Sequence, residues 1–278
     1  MSSYCRLAYG HRVTSATPPA VDGAQPDMAT RSVLRTSGLV KEFNGFRAVG
    51  EVDLDVAEGT VHALVGPNGA GKTTLFNLLT GFLKPTRGTI TIDGHDVTGV
   101  RPERIAQRGV ARSFQITSLF DELTLAEHVE LALQGRDGLG YRFWRSDKQL
   151  RRYRAETGRL LEQVGLADRA ETRAGSLAYG QKRALELALA LALSPRLLLL
   201  DEPTAGMGIE DVARTVELIR RIREDRTVVL VEHNMKVVGD LADRVTVLQF
   251  GRILAEGPYE QVRNDPRVIT AYLGEAVA

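Results

Sequence analysis

The run Gly66-Pro67-Asn68-Gly69-Ala70-Gly71-Lys72-Thr73-Thr74 constrains this chain more than any other stretch. It follows an apolar segment at 60–65 and leads into 72–79, where Leu75, Phe76, Leu78 and Leu79 recur at helical spacing. A strand that passes through glycines into a helix lets the backbone curl until several N–H groups face one anion. The helix start adds its partial positive end. Lys72 supplies a point charge for β- and γ-phosphates, the Thr73 hydroxyl can ligate Mg²⁺, and Thr74 stands at the same helix end. The pattern predicts a nucleotide site on a strand–loop–helix unit.

A second constraint is Leu197-Leu198-Leu199-Leu200-Asp201-Glu202-Pro203. Four consecutive leucines suit a strand buried on both faces. A carboxylate at its end, Asp201, can stand near the metal shell, and Glu202 can polarise an attacking water. Composition agrees with a folded chain. Of 278 residues, 43% are hydrophobic and 26% charged, which excludes a wholly disordered protein. A formal net charge of +1 gives no global reason to bind nucleic acid. The single cysteine, Cys5, cannot form an internal disulfide. A membrane span needs about 20 mainly apolar residues, and the most apolar stretch, 184–200, is interrupted by Glu186, Pro195 and Arg196. The N-terminus lacks the apolar core of a signal peptide.

Residues 1–33, with Pro18, Pro19 and Pro26 and no sustained periodicity, read as a disordered extension before a domain at 34–278. Within that domain, strands are expected at 39–43, 52–56, 60–65, 89–92, 197–200 and 227–231, and helices at 72–79, 148–164, 181–193 and 210–223. The alternation predicts an α/β layer fold. The middle of the chain is mostly helical and forms a candidate subdomain at about 115–192.

These pieces together resemble the ATP-binding cassette (ABC) ATPases, and the likeness runs from Val33 to Ala278. Leu177-Ala178-Tyr179-Gly180-Gln181 is similar to the signature sequence of that family, with Ala178 for the usual serine and Tyr179 for the first glycine. The resemblance implies a P-loop NTPase cassette with a RecA-like core, an antiparallel β subdomain and a helical subdomain. It assigns ATP and Mg²⁺ as ligands. Glu202 becomes the hydrolytic carboxylate, His233 the switch histidine and Lys72 a catalytic charge. Thr73, Gln115 and Asp201 become the metal set, and Phe43 the ring that stacks on adenine, with Phe46 competing for that role. Residues 177–181 would contact the ATP held by a second subunit. Glu232, next to His233, is expected to have no catalytic part. Thr204-Ala205-Gly206-Met207 occupies the D-loop position, where Ser-Ala-Leu-Asp is commoner.

The run Ala111-Arg112-Ser113-Phe114-Gln115-Ile116 ahead of Leu119-Phe120-Asp121-Glu122-Leu123-Thr124, a helical region lengthened by 135–154, and the ending Val268-Ile269-Thr270-Ala271-Tyr272-Leu273-Gly274-Glu275-Ala276 are similar to the longer ATPase of branched-chain amino acid importers. Urea and short-chain amide importers share much of the pattern. The resemblance implies a peripheral subunit on the cytoplasmic face of the inner or plasma membrane. Its partners would be a second ATPase subunit, in a homo- or a heterodimer, transmembrane permeases and, indirectly, an extracytoplasmic substrate-binding protein, with no nucleic acid. A lipid or lipopolysaccharide exporter motor and a soluble ABC-type ATPase are the alternatives. A basic and aromatic stretch, with Arg136, Tyr141, Arg142, Phe143, Trp144, Arg145 and Tyr153, suits either a membrane or partner contact or a solvated helix whose aromatics pack inward.

Overall fold

The computed structural model describes residues 31–113, 119–138 and 147–273, without the side chains of 147–150 and 273. In chain order the elements are β1 (Ser32–Phe43), β2 (Phe46–Val52), β3 (Asp55–Ala57), β4 (Val61–Val65), α1 (Lys72–Leu79), β5 (Arg87–Ile92), β6 (His95–Asp96), α2 (Pro102–Ala106) and β7 (Val110–Arg112). The second half adds α3 (Leu125–Arg136), α4 (Asp147–Gln163), α5 (Tyr179–Ala192), β8 (Leu197–Asp201), α6 (Ile209–Ile222), β9 (Thr227–Val231), α7 (Met235–Leu241), β10 (Arg244–Gln249), β11 (Arg252–Gly257), α8 (Tyr259–Arg263) and α9 (Pro266–Leu273).

The strands form two sheets. One runs β2-β1-β5-β6, with β3 also on β1, and its pairings are antiparallel. The other runs β11-β10-β4-β9-β8-β7, parallel except for the β10–β11 hairpin at its edge. Every residue of β4, β8 and β9 is buried. Successive side chains of a strand point to opposite faces, and β8 divides accordingly. Leu197 and Leu199 join a core with α1 and the antiparallel sheet. Leu198 and Leu200 join a second core with α3, α4, α5 and α6. The all-leucine run therefore sits where one strand must satisfy two apolar layers.

Local signals set several helix starts. Thr124 and Glu127 form a capping box on α3, with Glu127 N–H donating to Thr124 Oγ1 (3.2 Å) and Thr124 N–H to Glu127 Oε2 (2.7 Å). Asn234 caps α7 by accepting from the N–H groups of Lys236 and Val237.

The body begins ahead of the expected boundary, because Ser32 pairs with Ala57 and Val33 is buried. The strand expected at 52–56 is two strands. Asp53 Oδ1 accepts from Gly38 N–H and Leu54 N–H donates to Thr36 Oγ1, so side chains replace the ladder between β2 and β3. In the basic and aromatic stretch, Tyr153 is buried and donates to Asp137 Oδ2 at 2.8 Å, while Arg136 binds Glu156 at 2.6 Å. These two side chains follow the inward-packing reading. Tyr141, Arg142, Phe143, Trp144 and Arg145 lie outside the described residues. So do the extension at 1–30, Gln115 and the end of the chain from Gly274. No described helix is long and apolar enough to cross a membrane.

His62, on β4, is a buried histidine with a structural role. Its Nε2 lies 2.7 Å from Thr246 Oγ1 on β10. Burial disfavours the imidazolium and pushes its pKa down to about 4. The unfolded chain takes up this proton below about pH 6.5, whereas the folded chain takes it up only near pH 4. The contribution of His62 to stability is thus complete above pH 6.5 and lost as pH falls toward 4. Urea unfolding is expected to show a His62-dependent loss of about 2 kcal/mol between pH 7.5 and pH 5. His62→Gln should flatten that part of the profile; an unchanged pH dependence would contradict it.

Candidate functional site

The parallel strands β4, β9, β8 and β7 lie side by side, and the candidate residues leave their carboxyl ends, where α/β sheets bind ligands. After Val65 the chain turns through Gly66, whose φ of 148° and proximity to Leu248 exclude a side chain. A Cβ there would sit 2.1 Å from the Leu248 carbonyl oxygen. Gly71, at φ 99°, would place a Cβ 2.5 Å from the Ala48 carbonyl oxygen. Between them Ala70 N–H donates to Pro67 O at 3.1 Å and closes the loop over Asn68 and Gly69. Lys72 is buried, with Nζ donating to Gly66 O (2.6 Å) and Pro67 O (2.9 Å). Its ammonium therefore lies within the curve of the loop. The first turn of α1, in which Thr73 is exposed and Thr74 half-buried, presents backbone N–H groups outward.

On β8, Asp201 is buried and its Oδ2 accepts from Arg112 Nη2 at 2.6 Å. Asp201 Oδ1 is buried and has no hydrogen-bond partner. A hard divalent cation or one of its waters suits an orphaned carboxylate oxygen, so Asp201 fits a place in a Mg²⁺ shell. Glu202 follows with φ +49°, a conformation that costs a non-glycine residue about 1–3 kcal/mol. Its N–H still donates to Val231 O at 2.9 Å, so the ladder continues while the chain reverses. The side chain then meets His233 Nε2 at 2.5 Å. Register explains the meeting, because Asp201 pairs with Val231 and the two loops leave adjacent strands at one level.

Two residues of this site went unassigned in the sequence. Arg112, at the end of β7, also donates to Asn77 Oδ1 at 2.6 Å and stacks 5.5 Å from the Phe76 ring. It ties α1, behind the phosphate loop, to Asp201. Glu232 is buried, bound to Thr204 and to the N–H groups of His233 and Asn234. The Arg112–Asp201 and Glu232–Thr204 contacts form only when distant strands pair, so no local pattern announced them.

The 177–181 loop is held by other elements. Leu177 is buried in the helical core. Ala178 precedes α5, and its N–H donates to Gln181 Oε1 at 3.2 Å. This is half a capping box, since alanine offers no hydroxyl in return, a loss of about 1 kcal/mol. A Cβ on Gly180 would come 2.7 Å from Asp211 Oδ2, so close packing on α6 also favours glycine. The Tyr179 hydroxyl accepts from Arg183 (3.1 Å), and its ring lies 3.4 Å from where a Cβ on Gly206 would stand. Tyr179 thus packs against the turn at Gly206, whose φ of 73° favours glycine. Phe43 and Phe46 pair across the Asn44-Gly45 turn, and both are exposed. Lys41 Nζ lies 4.9 Å from the Phe43 ring centre.

Comparison with known proteins agrees with this geometry. The ABC transporter family model matches residues 49–205, and a branched-chain amino acid ATP-binding cassette transporter model matches 252–278. The high-affinity branched-chain amino acid transport ATP-binding protein BraF of Pseudomonas aeruginosa is 42% identical over 257 residues, covering 89% of this chain and 100% of that protein. LivG of Escherichia coli, with the same description, is 41% identical over 255 residues, again 89% and 100%. The lipopolysaccharide export ATP-binding protein LptB of Haemophilus influenzae is 34% identical, covering 88% and 98%. Among solved structures, the ADP conformation of the cassette MJ1267 superposes with a TM-score of 0.78 at 29% identity, covering 88% of this chain and 100% of that one. The dimeric cassette MJ0796 superposes at 0.70 and 26% identity, covering 81% and 98%. The chain belongs to the ABC transporter ATP-binding family, the ATP-hydrolysing cassettes of membrane transporters.

Proposed function

We propose that this chain is the motor subunit of an importer for branched-chain amino acids, working at the cytoplasmic face of the membrane. The observation that carries the mechanism is the Glu202–His233 contact of 2.5 Å at the ends of β8 and β9, with β9 paired to β4, which leads into the Lys72 loop. The names of the full-length relatives and the match at 252–278 support the cargo. Lys72 and the N-terminus of α1 bind the β- and γ-phosphates. Glu202 orients the attacking water and takes its proton, while His233 holds Glu202 and offers its ring to the γ-phosphate. Thr73, Gln115 and Asp201 would hold Mg²⁺, which supplies charge neutralisation at the phosphates. Residues 177–181 of a second subunit complete the site, a reading supported by the dimeric cassettes among the related structures.

A groove of about 290 Å³, lined by Phe82, Ile105, Val110 and Leu193 with Arg112 among its walls, supports a permease contact. Movement there would reach Asp201 through Arg112. Proteoliposomes carrying this chain, its permeases and its binding protein should take up labelled leucine with ATP, and Lys72→Ala should abolish uptake. ATP-driven uptake of urea without leucine would reassign the cargo.

A further inference from the structure

We infer that Glu232 is a positioning residue that sets the Glu202–His233 pair by stapling the loop after β8 to the loop after β9. This rests on the reading that Glu202 and His233 carry out hydrolysis. Glu232 is 3% exposed. Its Oε1 accepts from Thr204 N–H at 3.1 Å and from the Thr204 hydroxyl. Its Oε2 accepts from His233 N–H at 2.9 Å and Asn234 N–H at 3.1 Å. A carboxylate accepts about four hydrogen bonds and donates none, and four donors converge here. Thr204 stands two positions after Glu202, and His233 directly follows Glu232. The segment 202–204 and the segment 232–233 are therefore clasped twice: once by the reacting side chains at 2.5 Å, and once by Glu232. The buried clasp fixes where the exposed one can form.

The chemistry explains why glutamate serves here. Glutamine of the same shape would turn an NH₂ group toward donors at one of the two loops. Asn234 begins α7 by capping it, so Glu232 also orients the start of the helix that follows His233. None of these contacts touches the Lys72 loop. The staple should govern turnover and leave nucleotide affinity alone.

The test is steady-state hydrolysis of Mg-ATP by the full chain, with kcat expressed per nucleotide-binding site titrated with a fluorescent ATP analogue. That normalisation removes any loss of folded protein. Glu232→Gln is expected to lower kcat about ten- to a hundredfold, the scale of a misplaced catalytic group, with KM for ATP within about twofold. Thr204→Val, which removes one donor without leaving a buried polar atom, should lower kcat in the same way by less. The double variant should fall no further than Glu232→Gln, since both act on one clasp. Wild-type kcat in Glu232→Gln, a KM rise as large as the kcat loss, or multiplying losses in the double variant would overturn the inference. If Glu232→Gln does not fold, wild-type kcat in Thr204→Val overturns it. His233→Ala with wild-type turnover would instead overturn the hydrolytic reading on which the inference rests.

Discussion

Glu202→Gln is expected to lower ATP turnover by at least about a hundredfold while nucleotide affinity stays within a fewfold of the wild type. The loss follows from what the side chain does at its position. Glu202 reaches outward from a strained backbone, at φ +49°, to a histidine 2.5 Å away. Glutamine keeps the size and a hydrogen bond but cannot take a proton from water. General bases of this kind contribute about 10²–10⁴ in rate. Lys72, the proposed phosphate ligand, makes its contacts with Gly66 and Pro67 and is untouched by the change. Phosphate release under saturating Mg-ATP, with affinity from a fluorescence titration, measures both terms. Turnover near wild type would remove Glu202 from the base role.

Arg112→Met is expected to cost about 3–5 kcal/mol of stability, the usual penalty for breaking a buried ion pair by deleting one partner. The side chains of Arg112 and Asp201 are 10% and 1% exposed, so water cannot replace the lost contact. Asp201 already has one unpartnered oxygen and would be left with two. The guanidinium also holds Asn77 of α1, so the variant loosens the helix that carries the phosphate loop. Adding Asp201→Asn should recover part of the stability, because the uncompensated charge is gone, without recovering hydrolysis. Urea denaturation of the single and double variants reads this directly. A loss below about 1 kcal/mol, the range of an exposed pair, would show that Asp201 is solvated or otherwise neutralised.

Residues whose environment is set by their neighbours in sequence were legible before the fold was known. Helix α1 and strands β8 and β9 stand close to where the apolar runs placed them, because a strand buried on both faces has no alternating pattern to disguise it. Lys72, Asp201 and Glu202 follow from the same runs. The three-residue β7 has no periodicity to read, and β6 is shorter still. The strand expected at 52–56 caught only the last residue of β2 and missed the break before β3, because Thr36 and Asp53, which interrupt the ladder there, act from a distance in sequence or by a side-chain bond. The same limit hid Arg112 and Glu232. Arg112 finds Asp201 only when β7 pairs with β8, and Glu232 finds Thr204 only when β8 pairs with β9. Glu232 was expected to have no catalytic part, and it is buried. Its hydrogen bonds give it a different task.

The central claim is that this cassette hydrolyses ATP between two subunits, each offering its 177–181 loop to the nucleotide of the other. Light scattering on Glu202→Gln, with and without Mg-ATP, tests it most directly. The account predicts a monomer without nucleotide and a stable dimer with it. A monomer that binds ATP yet never dimerises would contradict a site shared between two copies of this chain.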